Sequence, residues 1–258
     1  MKNRTDEIVN IYRVRQSQVE VIESGVIVEK PVSLSVNGNI WLTFMCTPVD
    51  LEALAVGFLY NEGIIDSKDD LRFVELHPDT QMVEVWLSKR VEKPENWRIT
   101  SGCTGGVTAV NENVFIKQNQ EGYTLPSVEV TALSKKLFEN QGLYHRVRGV
   151  HSSALSDGKE LLVICEDIGR HNTIDKVAGR MMLDDIQAKR KILITSGRIS
   201  SEMQQKAARL GVAILISRTS PTTLSIEMAE EAGITLIGYA RGRKFNIYSH
   251  PDRILISE

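Results

Sequence analysis

Between residues 161 and 239 the chain alternates short apolar runs with amphipathic stretches, and this alternation restricts it to very few folds. Leu161–Cys165, Ile192–Thr195, Val212–Ser217 and Ile234–Tyr239 have the length and composition of buried strands. The helical patterns Thr173–Met182, Ser201–Leu210 and Pro221–Ala232 lie between them. Strand starts at 192, 212 and 234 are one strand-plus-helix unit apart, which predicts a largely parallel sheet covered by helices. A further helix, Val130–Glu139, and the run Val147–Leu155 precede this alternation, so an α/β domain is expected over residues 127–258.

The first part of the chain reads as β-rich. Val19–Ile22, Gly25–Val28 and Val32–Val36 have strand patterns, and Asn37-Gly38 marks a tight hairpin before the return strand Ile40–Phe44. Thr47-Pro48 reads as a helix start, with Thr47 as N-cap and Leu51, Leu54, Ala55, Phe58 and Leu59 as the core face. Phe73–Leu76 and Met82–Leu87 are two more strands around a turn at His77–Thr80. A small N-terminal domain is expected over residues 1–110, with the polar, patternless stretch 111–126 as linker.

Composition excludes several classes. The net charge of −2 carries no global basic excess for nucleic acid, so any anion site must come from local clustering. Three cysteines without a C-x-x-C pair argue against a disulfide framework and against a thiolate zinc site, and no metal site is expected. Neither a signal peptide nor a bilayer-spanning run is present, which predicts a cytoplasmic protein. The G-x-G-x-x-G, P-loop, zinc-deaminase and G-x-S-x-G fingerprints are all missing.

The residues at the strand ends are more informative. Arg170-His171 comes after the first strand, Ser196-Gly197-Arg198 after the second, Ser217-Arg218 after the third, and Tyr239-Ala240-Arg241-Gly242-Arg243-Lys244 after the fourth. Four successive strand ends thus each present an arginine. Ligands of open α/β sheets bind at this edge, where helix N-termini attract anions and guanidinium forks bind phosphate oxygens. A polyphosphate or nucleotide-bearing ligand is expected. His151 reads equally as a core residue or a ligand donor; His171 is better placed, and His250 reads as structural.

Cys103 stands apart from Cys46 and Cys165, which sit in apolar runs. Its surroundings, Thr100-Ser101-Gly102-Cys103-Thr104-Gly105-Gly106, let another molecule approach the sulfur closely. A tight turn that happens to hold a cysteine is the plain alternative to a reactive thiol.

The run Cys165-Glu166-Asp167-Ile168-Gly169-Arg170-His171-Asn172-Thr173-Ile174-Asp175-Lys176 resembles the central signature of the FdhD family, the formate dehydrogenase accessory sulfurtransferases. The similarity continues through Ser196–Ser200, Gln205–Ala208, Ser217–Thr222, Gly238-Tyr239 with Arg241, and Phe245–Pro251. Upstream, Gly149–Leu155, Val36–Gly38, Thr47-Pro48, Ala55–Leu59 and Glu62–Ile65 also resemble the family, so the likeness spans nearly the whole chain.

The resemblance implies a cytidine-deaminase-like α/β/α domain without zinc, and a homodimer. It implies a sulfurtransferase that carries sulfur as a Cys103 persulfide from a cysteine desulfurase to the molybdenum cofactor of formate dehydrogenase. That cofactor, bis(molybdopterin guanine dinucleotide), is implied to contact Tyr239–Lys244. Many members carry two cysteines in an S-C-G-x-C-G loop; here Cys103 stands alone and Gly106 falls at the second place, with a register that Gly102 and Gly105 leave open by one residue. A one-thiol persulfide carrier is still chemically sufficient. The main alternative is a chaperone that binds and inserts the cofactor without transferring sulfur; a nucleotide-dependent hydrolase would need a metal or base that the sequence does not supply.

Overall fold

The structure, a computed structural model, describes residues 4–94, 97–99, 107–109 and 123–256. The chain opens with a long antiparallel hairpin, β1 (Asp6–Arg15) and β2 (Gln18–Ile27). β3 (Lys30–Val36) and β4 (Asn39–Cys46) come next, joined by Asn37 and Gly38 at φ 48° and 81°, the left-handed pair that a two-residue hairpin demands. After helix α1 (Leu51–Asn61), β5 (Leu71–His77) and β6 (Met82–Leu87) complete a four-stranded sheet in the order β4-β3-β6-β5. The short strands β7 (Trp97–Ile99) and β8 (Val107–Ala109) pair with each other.

Strand β9 (Leu125–Pro126) and helices α2 (Ser127–Glu139) and α3 (Gly142–Val147) lead into the larger sheet. Its elements are β10 (His151–Ser156), β11 (Leu161–Asp167), α4 (Arg170–Leu183), β12 (Ile192–Thr195), α5 (Ser201–Leu210), β13 (Ile214–Ser217), α6 (Thr223–Ala232), β14 (Thr235–Arg241) and β15 (Lys244–Ile247). The short β16 (Ile254–Leu255) pairs with β9.

The six strands are ordered β11-β10-β12-β13-β14-β15. β11, β12, β13 and β14 run in one direction, as the spacing of the apolar runs requires, while β10 and β15 run against them. Both faces are covered. Ile192, Ile194, Ile214, Ile216 and Ile237 pack toward α2, whereas Leu193, Leu215 and Leu236 pack toward α4, α5 and α6. Register places these like residues side by side, Leu193 beside Leu215 and Leu215 beside Leu236, so the near-continuous apolar runs are those of strands buried on both sides.

Two local expectations change. Thr47 is not an N-cap: Asp50, at φ 50°, precedes α1, and Thr47 is buried four residues before the helix starts. Its N–H donates to Asp167 Oδ2 (3.1 Å), its hydroxyl accepts from the Ile168 N–H, and its carbonyl accepts from Lys176 Nζ. Helix α6 starts after Pro221, capped by Thr222, whose hydroxyl accepts from the Ser225 N–H. Of the stretch 111–126, Tyr123 and Leu125 are buried in the α2 core, while residues 111–122 lie outside the described residues.

Helix α1 is buried nearly all round because it is sandwiched between the four-stranded sheet and α4. The two helices cross on glycines. A Cβ on Gly57 would lie 1.7 Å from the Asp175 carbonyl oxygen, and one on Gly179 would lie 1.9 Å from that of Ala53. The crossing is backbone against backbone, with no flexible side chain to yield. Gly57→Ala and Gly179→Ala are each expected to destabilise the fold by at least about 3 kcal/mol, measured by urea unfolding.

Candidate functional site

Because β11 through β14 share a direction, their carboxyl ends fall on one edge, and the antiparallel β10 brings its first residue there as well. His151 sits opposite Asp167, and Ser153 opposite Thr195. The edge is built by side-chain to backbone bonds. Ser196 Oγ accepts from the Ser152 N–H, Ser217 Oγ donates to the Gly197 carbonyl, and the Thr219 N–H donates to Ser217 Oγ. Ser217 is thus a fully buried strut rather than a ligand contact.

A cavity of about 280 Å³ opens at this edge, lined by Phe138, Gln141, Tyr144, Val150, His151, Ser196, Arg218 and Arg241. Four of the expected residues therefore meet in one place. The Arg218 guanidinium lies 4.3 Å from the centre of the Phe138 ring, and Arg241 Nε donates to the Arg218 carbonyl (2.8 Å). Partial burial and the neighbouring Arg241 charge hold Arg218 below the usual arginine range. Their mutual repulsion is relieved by an anion placed between them.

Beside the cavity, Gly197 lets Arg170 and His151 close in: a Cβ there would lie 3.1 Å from Arg170 Cβ and 3.5 Å from His151 Nδ1. His151 Nδ1 lies 3.4 Å from Ser196 Oγ, and burial, then the Arg170 charge, lowers its pKa. His171, at the start of α4, faces Ser200 Oγ at 3.4 Å and Glu202 at 4.0 Å. Burial, and after it the Lys206 and Arg170 charges, pushes its pKa down to about 3 despite Glu202. Both rings are neutral near pH 7, so the positive charge of this edge comes from guanidinium groups.

The other expected residues lie elsewhere. Arg198 is exposed and does not line the cavity; its charge is felt by His151. Ala240 is buried, and its carbonyl accepts from Ser134 Oγ. Tyr239, at φ 53°, Gly242, Arg243 and Lys244 are exposed around the β14–β15 turn. Cys103 lies outside the described residues. Burial pushes both Cys46 and Cys165 up to about 12, so neither supplies a thiolate at neutral pH. Among the described residues no three His, Cys, Asp or Glu side chains converge as metal ligands, and no helix is long and apolar enough to cross a membrane.

Sequence reasoning missed the aromatic wall. Phe138 lies near the end of α2 and Tyr144 sits in α3, a six-residue helix too short to announce itself by periodicity. Its start is fixed from another strand, where the Glu166 carboxylate accepts from the Leu143 and Tyr144 N–H groups at 2.8 and 2.9 Å. The one available signal was an aromatic, Phe138, at the polar end of an otherwise amphipathic helix.

The low pKa of His171 has a definite sign. The unfolded chain binds a proton near pH 6.5, and the folded chain does not until about pH 3, so this group's contribution to stability falls as pH drops through that window. Between pH 7 and pH 5, urea unfolding is expected to show the wild type losing on the order of 1–2 kcal/mol more than His171→Asn.

Residues 27–255 match the model of the FdhD/NarQ family. A sulfur carrier protein FdhD from Bacillus subtilis is 34% identical over 98% of this chain and 99% of its own length. One from Staphylococcus aureus is 36% identical over 90% of both chains. The crystal structure of a candidate formate dehydrogenase accessory protein from Desulfotalea psychrophila superimposes with a TM-score of 0.80 at 27% identity, over 98% of this chain and all of that one. With this match in sequence and in fold, the chain belongs to the FdhD/NarQ family.

Proposed function

We propose that this protein carries sulfur, as a persulfide on Cys103, from a cysteine desulfurase to the molybdenum cofactor of formate dehydrogenase, and that the nucleotide part of that cofactor docks at the strand-end cavity. The cavity carries this reading: Arg218 and Arg241 flank it, side by side, with aromatic rings and a neutral histidine around them. Guanidinium pairs of this kind suit a pyrophosphate, and the rings suit a base. A space of about 280 Å³ suits one nucleotide arm rather than the whole bis-dinucleotide cofactor. The curated relatives are named sulfur carriers, and the buried state of Cys46 and Cys165 leaves Cys103 as the thiol suited to that task.

The chemistry needs one thiol. The Cys103 thiolate attacks the outer sulfur of a desulfurase persulfide, forming a new S–S bond as the desulfurase cysteine leaves as thiolate. On delivery the outer sulfur departs, Cys103 keeps the bonding pair, and the reduced metal of the acceptor supplies the two electrons that make it sulfide.

Cys103→Ala is expected to abolish activation of formate dehydrogenase while GDP binding persists; full activation by this variant would sink the carrier role. Mass spectrometry after incubation with a desulfurase and cysteine should show one added sulfur on Cys103. Activation without that gain would establish the insertion chaperone instead. Arg218→Ala should weaken GDP binding about tenfold to a hundredfold by calorimetry, and an unchanged affinity would remove the cavity from the reading.

A further inference from the structure

We infer that Arg148, at the end of α3, is an additional phosphate contact of the cavity, reaching the ligand from the wall opposite the sheet edge. This inference rests on the nucleotide-binding reading above. Arg148 has φ 61° and ψ −161°, a conformation that glycine takes freely and that an L side chain takes only under constraint. The constraint is visible on both sides. Upstream, α3 is pinned by the Glu166 carboxylate at its start, and the Arg148 N–H donates to the Tyr144 carbonyl (3.0 Å). Downstream, Gly149 at φ 69° leads to the buried Val150, and His151 is already locked into the sheet opposite Asp167.

The chain therefore places arginine where glycine would sit unstrained. Its side chain shows what is gained. The guanidinium lies 4.8 Å from the centre of the Tyr144 ring, which lines the cavity. Arg218 is held in the same manner on Phe138, and the two rings are 6.2 Å apart. Two guanidinium groups are thus parked on neighbouring rings that line the cavity: Arg218, from β13's end, is itself part of the lining, and Arg148, from α3, stands just outside it. A contact between an exposed guanidinium and a ring is weak. A phosphate oxygen offers a stronger, charge-assisted partner. Arg218 and Arg241 grip a diphosphate from the sheet side, and Arg148 closes on it from the helix side.

The test separates strain from binding in one variant. Arg148→Gly should raise the thermal midpoint by about 2–4 °C. The same variant should weaken GDP about tenfold by calorimetry, and inorganic pyrophosphate by a similar factor because the contact is to phosphate. Arg148→Ala keeps the strained backbone, so it should lose the same affinity without gaining stability; it decides the matter should the glycine variant misfold. Wild-type affinity for both probes in Arg148→Gly or Arg148→Ala overturns the inference, and so does a lowered midpoint in Arg148→Gly. If Arg218→Ala and Arg241→Ala weaken GDP while Arg148→Gly does not, the cavity stands and Arg148 falls alone. If the wild type binds neither probe, both fall together.

Discussion

The Nζ of Lys176 lies 2.6 Å from Oδ2 of Asp167 with both side chains sealed from solvent, and two such charges are tolerated in a core only when their other hydrogen-bonding positions are also filled. Here they are. Lys176 also donates to the Thr47 and Glu166 carbonyls, and Asp167 also accepts from the Thr47 and Gly169 N–H groups and from Asn172 Nδ2. One pair thereby fixes the end of β11, the start of α4 and the chain entering α1. Asn172 extends the clasp by donating to the Met45 carbonyl. The strand edge on which the arginines stand is set by this node, since Asp167 is the residue opposite His151.

A second buried cluster repeats the device further along α4. Lys206 Nζ reaches both Asp175 oxygens at 2.7 and 2.6 Å and Glu62 at 3.6 Å, and Asn61 donates to Asp175. Burial opposes the Lys206 charge, but Asp175 and Glu62 outweigh it and its pKa rises. The glycine crossing lies on the same pair of helices. α1 is therefore held to α4 by paired charges and by direct backbone contact, so these two helices cannot shift independently.

The parts legible in the sequence were those whose cause is local. Ile192–Thr195 and Ser201–Leu210 were expected with the bounds that they have, because a strand buried on both faces and an amphipathic helix each carry their own period. The Asn37-Gly38 turn was legible for the same reason, since two positive φ angles select those residues. Thr47 misled because its partner, Asp167, lies 120 residues away and sequence-local capping rules cannot see it. Helix α3 was hidden because Glu166 supplies its start from a neighbouring strand. Of the arginines that the strand-end rule named, Arg218 and Arg241 line the cavity, whereas Arg198 is exposed away from it. The rule gave no signal for Arg148, whose unusual backbone angle is invisible in the sequence.

The neutral state of His151 and His171 has a consequence for how this edge responds to its surroundings. Rings that hold no proton near pH 7 leave the local field to guanidinium groups, which stay charged over the whole range in which proteins are folded. Near neutral pH, the protein's side of any attraction for an anion is then set by groups that do not titrate there. Dissolved ions, by contrast, screen it over roughly 8 Å at physiological strength. Any grip on an anion at this edge would then respond, near neutral pH, to salt rather than to protons.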